Sequence, residues 1–380
     1  MRGNISRRGK RSWRIKFDVG GVGGKRETRY VTVHGKRQDA ERELAKLIGA
    51  AHDGTLVEPS KLTVVEYLRS WLGGPHGLAG KTAERYQQLA EQQIIPHLGT
   101  LALQKLRPAH VAEWHSKLLA SGGKDSRALS PRTVGHAHRV LHRALERALK
   151  SELVSRNVAH AIRPPKVKEA EVETLKVDQV GAVLEALDDH PLHPIGVLAL
   201  GTGARRGEIL SLRWCDVDMT AGTLHIERSL EQTKAGLKFK APKTKHGRRT
   251  VTLPPIAVEA LQAHRRRQLE LRLALGQGRP DAETLVFGTI DGDPIAPNNL
   301  SRDWRRFVRA RKLPAVSFHA LRHSHASALI ASGVDLLTVS RRIGHGSPVV
   351  TLRIYGHLFE KTDTPAANAI EAALRTGKER

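Results

Sequence analysis

Residues 163–174, RPPKVKEAEVET, set the strongest limit on how this chain can fold. Two prolines followed by alternating charges cannot sustain a helix, and the segment has almost no apolar surface to bury. It reads as an extended, solvated tether, so the sequence on either side must build its own core. The apolar periodicity changes again near residue 60. The expected organisation is a small sheet plus one helix over 1–60, a helical bundle over 61–165 and a mixed helix-and-strand module over 172–380. The fold class is mainly α with small β-sheets (α+β), and 380 residues leave room for two or three domains.

Composition narrows the function classes. Hydrophobic residues make up 39% of the chain, enough for packed cores, but no apolar run is long enough to span a bilayer. The opening residues, MRGNISRRGKRSWRIKF, are charged and never reach an apolar stretch, so we expect no secretory signal and a bacterial cytoplasmic protein. A single cysteine, Cys215, excludes an internal disulfide and a zinc cluster built on thiolates. The net charge is +25, with 63 Lys and Arg against 38 Asp and Glu. Residues 1–165 carry 30 basic and 14 acidic side chains, making them more than twice as basic per residue as the remainder. A modest excess is usually a solubilising surface. An excess this large favours a polyanionic partner, above all nucleic acid, because phosphate neutralisation releases counterions.

Within residues 12–33, SWRIKFDVG and RETRYVTV alternate apolar and polar residues around a glycine-rich break, the pattern of a hairpin. A helix is expected after Gly35, with Ala40, Leu44, Leu47 and Ile48 on one face. Helices are expected near 63–72, 81–95, 108–121 and 130–150, the last carrying the stripe Val134, Ala137, Val140, Leu141, Ala144, Leu145 and Ala148. Beyond the tether, helical spacing is found near 177–188, 192–201, 205–213, 255–275, 297–312, 319–332, 336–344 and 366–374. TLHIERS and RRTVTLP read as strands flanking a Lys-rich stretch, and ETLVFG as one more strand.

Four clusters in this last module could carry chemistry. In GTGARRGEIL, Arg205 opens a helix, where its fork of donors joins unpaired backbone amides to suit a phosphate oxyanion; its bland alternative is a helix ion pair with Glu208. In FHALRHSHAS, His319 and Arg322 share a helical face. His319 and His323 have zinc-helix spacing, but Ala320 stands where the glutamate of such a site would lie and no third ligand is evident, so a phosphate site is preferred over a metal site. In RRIGHGSPVVTLRIYGHL, His345 precedes Tyr355, one of only four tyrosines. In APKTKHGRR, Lys243 is expected at a hairpin tip, where a basic loop is ordinarily solvated but can also reach into a groove.

In this order and at these separations the four motifs resemble the catalytic domain of the tyrosine recombinases, the phage-integrase family. The resemblance spans about 175–360; the bundle before it resembles the family's core-binding domain, and the first 60 residues its arm-type DNA-binding domain. It assigns the first catalytic arginine to Arg205, with Glu208 as its structural companion, and the hairpin lysine to Lys243, with Lys240 and Lys245 close by as alternatives. It assigns the H-x-x-R pair to His319 and Arg322, the next histidine to His345 and the nucleophile to Tyr355. Ala320 departs from the Asp that many relatives carry. The resemblance implies double-stranded DNA as partner, a C-shaped clamp around it, a homo-tetramer on two duplexes, and strand exchange through a Holliday junction. The segment after Thr362 would pack on a neighbouring subunit.

The chemistry is coherent with that set. A phosphodiester repels nucleophiles, so positioning and charge stabilisation dominate its catalysis. Arg205 and Arg322 would grip the nonbridging oxygens bidentately, as lysines could not. A phenol is almost wholly protonated at neutral pH, so Tyr355 needs a base, for which His319 is the leading candidate. His345 would add a hydrogen bond to the transition state, and Lys243 would protonate the departing 5′ oxygen. The resulting 3′-phosphotyrosine conserves the bond energy, so rejoining calls for neither ATP nor a metal ion, and no cofactor is expected. Two rivals remain open at this point: a type IB topoisomerase, which has no need of an arm-like first 60 residues, and a DNA-binding architectural protein without catalysis.

Overall fold

The computed structural model describes residues 3–20, 26–52, 56–75, 77–168, 173–242, 245–358 and 364–376. The chain divides into two compact units, Met1–Lys168 and Glu169–Arg380, and the division falls within the Pro-and-charge segment.

The first unit opens with an antiparallel sheet of β1 (Gly3–Gly9), β2 (Ser12–Gly20) and β3 (Arg26–His34), in that order. Trp13, Ile15 and Phe17 alternate with Arg14, Lys16 and Asp18, so one face of β2 is apolar. Helix α1 (Arg37–His52) covers that face with Ala40, Leu44 and Leu47, leaving Ile15 and Phe17 buried. Strand β1 was not legible from GNISRRG, whose only apolar residue is Ile5. It forms because β2 offers a backbone edge, which Ile5 meets opposite Ile15. The bundle then comprises α2 (Val64–Gly73), α3 (Gly80–Leu89), α4 (Ile95–Leu98), α5 (Pro108–Ser121) and α6 (Pro131–Lys150). A capping box between Thr63 and Glu66 starts α2, and Ser130 ahead of Pro131 starts α6. The expected helix over 81–95 is interrupted by a π-turn, Ala90–Ile94. Pro96 follows at once; its ring cannot fit beneath an unbroken α-turn, and the wider turn accommodates it. All seven residues of the α6 stripe are buried, against Val64, Leu68, Val111, Trp114 and Leu118 among others.

The second unit packs α7 (Val177–Leu187), α8 (His193–Thr202), α9 (Arg206–Ile209), α10 (Pro255–Ala274), α11 (Pro297–Ala310), α12 (Phe318–Ala331), α13 (Leu336–Ile343), α14 (Pro348–Tyr355) and α15 (Thr364–Thr376) around a small sheet and a ribbon. Helix α8 is apolar all round, as its sequence HPIGVLALGT suggests, and lies at the centre against α10 and α12. The antiparallel sheet is β4 (Val217–Asp218), β5 (Thr223–Ile226) and β8 (Arg249–Thr252). Strands β6 (Ser229–Thr233) and β7 (Gly236–Lys240) form a separate ribbon that turns at Gly236, where φ is +118°. Strand β7 lies inside the stretch the sequence offered only as Lys-rich, because Lys238 and Lys240 mask the Leu237 and Phe239 alternation, and β6 lies just ahead of it.

Two further expectations are corrected. ETLVFG is not a strand: Leu285 makes one isolated bridge to Arg213, while the carbonyls of Leu285 and Val286 are taken by Gln268 and His264 of α10. Val286 N–H donates to Leu212 O at 2.8 Å and Thr284 O accepts from Trp214 N–H at 3.1 Å, so one short bridge and the α10 side chains satisfy this backbone in place of a ladder. The helix expected over 205–213 is the single turn α9: beyond it Ser211 N–H and Leu212 N–H bond three residues back, to Glu208 O and Ile209 O, and the N–H groups of Trp214 and Cys215 go to Thr284 O and Ala282 O. Lys243, expected at a hairpin tip, lies outside the described residues. Among the described residues no helix is long and apolar enough to cross a membrane.

Candidate active site

Two left-handed glycines build the site. Gly203 ends α8 at φ +63°, and Gly344 ends α13 at φ +68°. A Cβ on Gly203 would lie 2.6 Å from His325 Cδ2, and one on Gly344 2.6 Å from Arg249 Nη1, so both positions need glycine for space as well as for backbone conformation. Their carbonyls each accept a guanidinium. Arg322 Nη1 donates to Gly203 O at 2.7 Å, and Arg205 Nη2 donates to Gly344 O at 2.9 Å.

Glu208 holds the arginines from the other side. Its carboxylate accepts from Arg205 Nη1 at 2.7 Å, from the Arg205 backbone N–H at 2.9 Å and from Arg249 Nη2 at 2.9 Å. Its side chain is 3% exposed. Burial alone would raise this carboxyl, but Arg249 and then Arg205 overrule burial and hold it below the usual carboxylate range. Arg249 also donates from Nε to Arg342 O at 2.7 Å, which fixes the C-terminal end of α13. Thus the i, i+3 pair seen in the sequence is real and belongs to a triad in which Glu208 and Arg249 are buried and Arg205 is partly exposed.

Arg322 is only 3% exposed, and among the described residues its Nη2 finds no hydrogen-bond partner. Burial, then repulsion from Arg205, lowers its pKa to about 9. A buried guanidinium edge left unpaired is costly unless an anion completes it.

Tyr355 is the last residue of α14 and is 1% exposed. Its hydroxyl meets His323 Nδ1 at 2.6 Å. Burial pushes the phenol up to about 12, with Arg322 pulling weakly the other way. His323 is lowered to about 4 by burial, then by His319 and Arg322. His345 Nδ1 pairs with Thr351 Oγ1 at 2.8 Å, and burial followed by Arg322 and Arg205 lowers it to about 4. His319 keeps a solvent-accessible edge and stands edge-on to His323, ring centroids 4.8 Å apart; partial desolvation, then Arg322, Arg205 and Arg206, lower its pKa. Behind this group His325 donates from Nδ1 to Leu200 O at 2.7 Å and accepts from Arg342 Nε at 3.1 Å, so it is a neutral strut.

The structure therefore brings Arg205, Arg322, His319, His345 and Tyr355 into one electrostatically coupled cluster, with Lys243 outside the described residues. Lys240, the neighbouring alternative, is paired with Glu231. His323, not His319, holds the Tyr355 hydroxyl. Among the described residues no three His, Cys, Asp or Glu side chains are grouped to hold a metal ion. Sequence reasoning missed Arg249 and the His323 contact, since their partners lie 41 and 32 residues away. It also missed α14, because Val349, Val350 and Thr351 argue against a helix, although Ser347 and Pro348 form an ordinary start signal. Guanidinium donors, imidazoles and a phenol in one buried cluster are the groups that phosphoryl transfer requires.

Comparison with known proteins agrees with that chemistry. The sequence model of the phage integrase family matches residues 173–362, and that of the phage integrase N-terminal SAM-like domain matches 63–119. A tyrosine recombinase XerC-like protein of Caldanaerobacter subterraneus subsp. tengcongensis is 27% identical over 388 residues, covering 97% of each chain. An integrase of Streptomyces ambofaciens is 30% identical over 355 residues, covering 90% of this chain and 89% of its own. The fold is similar to that of the Tn1549 transposon integrase solved with transposon right end DNA, at a TM-score of 0.67 and 20% identity over 82% of this chain and 99% of that one. It is also similar to a lambda integrase chain from a tetramer bound to a Holliday junction, at a TM-score of 0.55 and 18% identity over 95% of this chain and 97% of that one. A family match across half of the chain, together with relatives aligned over nearly all of it, shows that this protein belongs to the phage integrase family.

Proposed function

We propose that Arg205, Lys243, His319, Arg322, His345 and Tyr355 are the catalytic residues with which this site-specific DNA recombinase cleaves and rejoins strands. Tyr355 attacks the scissile phosphorus, giving a 3′-phosphotyrosine and a free 5′ hydroxyl. Arg205 and the open Nη2 edge of Arg322 bind the nonbridging oxygens, His319 and His345 donate to the same phosphate, and Lys243 protonates the leaving oxygen. The observation that carries this reading is the buried Tyr355 hydroxyl, bonded to His323 and lying in the field of an Arg322 whose Nη2 has no partner among the described residues.

Residues 1–60 are proposed to bind arm-type DNA sites and 61–165 the core site; residues 1–165 carry +16 of the net charge of +25. The working assembly is a homo-tetramer on two duplexes, in keeping with the lambda integrase tetramer bound to a Holliday junction, acting in the bacterial cytoplasm at the nucleoid on the DNA of a phage or other mobile element. Neither the family match nor the relatives favour the topoisomerase or binding-only alternatives.

A nicked suicide duplex tests the reading. Wild-type protein should become covalently attached to the DNA, and Tyr355→Phe should form no adduct while retaining salt-sensitive DNA binding. An adduct persisting in Tyr355→Phe would overturn the assignment. Recombination of two site-bearing plasmids by the wild type, and not merely their relaxation, completes the test.

A further inference from the structure

The roles above leave unused the side chain that, among the described residues, hydrogen-bonds the nucleophilic oxygen. We infer that His323 is a catalytic residue, the base whose Nδ1 takes the Tyr355 hydroxyl proton as that oxygen attacks phosphorus. This inference rests on Tyr355 being the nucleophile. The contact is 2.6 Å between His323 Nδ1 and the phenolic oxygen, inside the reach required of a general base. The titratable and charged groups facing His323 are His319 and Arg322 from its own helix, Tyr355 from α14, and His345 from the turn ahead of α14. None of these is a carboxylate. Arg322 cannot accept a proton, and His345 Nδ1 is engaged by Thr351. His319 lies edge-on to the His323 ring and is placed to hold that ring rather than to reach the phenol.

The step balances. The phenolic O–H bond breaks and its proton goes to His323 Nδ1; the oxygen–phosphorus bond forms as the bond from phosphorus to the 5′ oxygen breaks, and Lys243 supplies that oxygen's proton. In rejoining, a 5′ hydroxyl gives its proton to Lys243 as its oxygen attacks phosphorus, the bond from phosphorus to the Tyr355 oxygen breaks, and departing Tyr355 recovers its proton from the imidazolium. Nδ1 must be unprotonated to accept, so Nε2 carries the hydrogen of the resting ring. Without DNA the desolvated, cationic surroundings keep the imidazole neutral and the phenol protonated, and the proton stays where it is. An arriving phosphate brings negative charge, which favours the imidazolium and offsets Arg322. Proton transfer thereby waits for bound substrate.

Single-turnover adduct formation on a suicide duplex tests this in full-length His323→Ala and His323→Asn. Asn can still present an acceptor to the phenol but cannot take its proton. Both variants should attach DNA about 100-fold or more slowly than wild type while binding the duplex normally. Added free imidazole should restore His323→Ala, increasingly as pH rises through the ordinary imidazole range. Wild-type rates in His323→Asn would overturn the inference, since the side chain would then only hold the hydroxyl in place; so would failure of imidazole to restore His323→Ala. The wild-type adduct, run in parallel, separates either result from failure of the recombinase reading, in which no protein would attach.

Discussion

Glu208 illustrates how one buried carboxylate can organise a cationic site. It accepts from Arg205 and Arg249, which come from α9 and β8, and its side chain is 3% exposed. Removing its charge leaves the buried Arg249 guanidinium without its carboxylate and beside the partly exposed Arg205, so Glu208→Gln should destabilise the second unit by about 3 kcal/mol at neutral pH. Denaturant unfolding checks this. Because the folded carboxyl titrates below its unfolded value, its contribution is present above the unfolded pKa and lost as pH falls through the lowered folded one. The difference between wild type and Glu208→Gln should therefore shrink in acid, and an unchanged difference would contradict the triad. At this scale the sequence was informative about residue types and local spacing: Arg205 with Glu208, and His319 with Arg322. It could not show Arg249 on Glu208, or His323 on Tyr355, because only the tertiary fold brings those partners together.

Among the elements, the ends of helices position the arginines. The α8 and α13 C-caps turn Gly203 and Gly344 carbonyls toward Arg322 and Arg205. Gly203→Ala would place a methyl 2.6 Å from His325 Cδ2 at φ +63°, and we expect a loss of about 2 kcal/mol together with slower DNA cleavage as the carbonyl under Arg322 shifts. Gly181, inside α7 with nothing within 4 Å of an added Cβ, supplies the contrast: Gly181→Ala should stabilise by about 0.5–1 kcal/mol and leave cleavage unchanged. Thermal melts and single-turnover cleavage of the two variants measure both effects. Equal behaviour of the pair would mean that the left-handed cap is not what holds Arg322. Long, strongly periodic elements were legible in advance; α5 and α6 fall within a residue of their expected limits because stripe and cap agree. Short elements were not. The strand β1 and the ribbon β6–β7 are set by pairing with neighbours, the helix α14 starts at Ser347 and Pro348 despite its β-branched residues, and ETLVFG, apolar enough for a strand, has the carbonyls of Leu285 and Val286 captured by α10 side chains.

At the scale of the whole molecule, each unit carries buried neutral imidazoles. His138 in the first unit and His323, His325 and His345 in the second are lowered to about 4, burial being the largest cause in each. An unfolded chain binds these protons near pH 6.5 and the folded chain resists them, so folding stability is full above about pH 6.5 and falls as pH drops toward 4. Denaturant unfolding should show stability declining by at least about 1.4 kcal/mol per pH unit between pH 6 and 5, the slope for one proton taken up on unfolding. A flat profile there would contradict the neutral, buried state of these rings. The proposed function as a whole depends on a single oxygen. Wild-type protein trapped on a suicide duplex, digested and sequenced by mass spectrometry, measures which residue carries the nucleotide. The account predicts one modified peptide, bearing its 3′-phosphate adduct on Tyr355. Attachment at any other residue, or an efficiently recombining protein with no attachment at all, would contradict it.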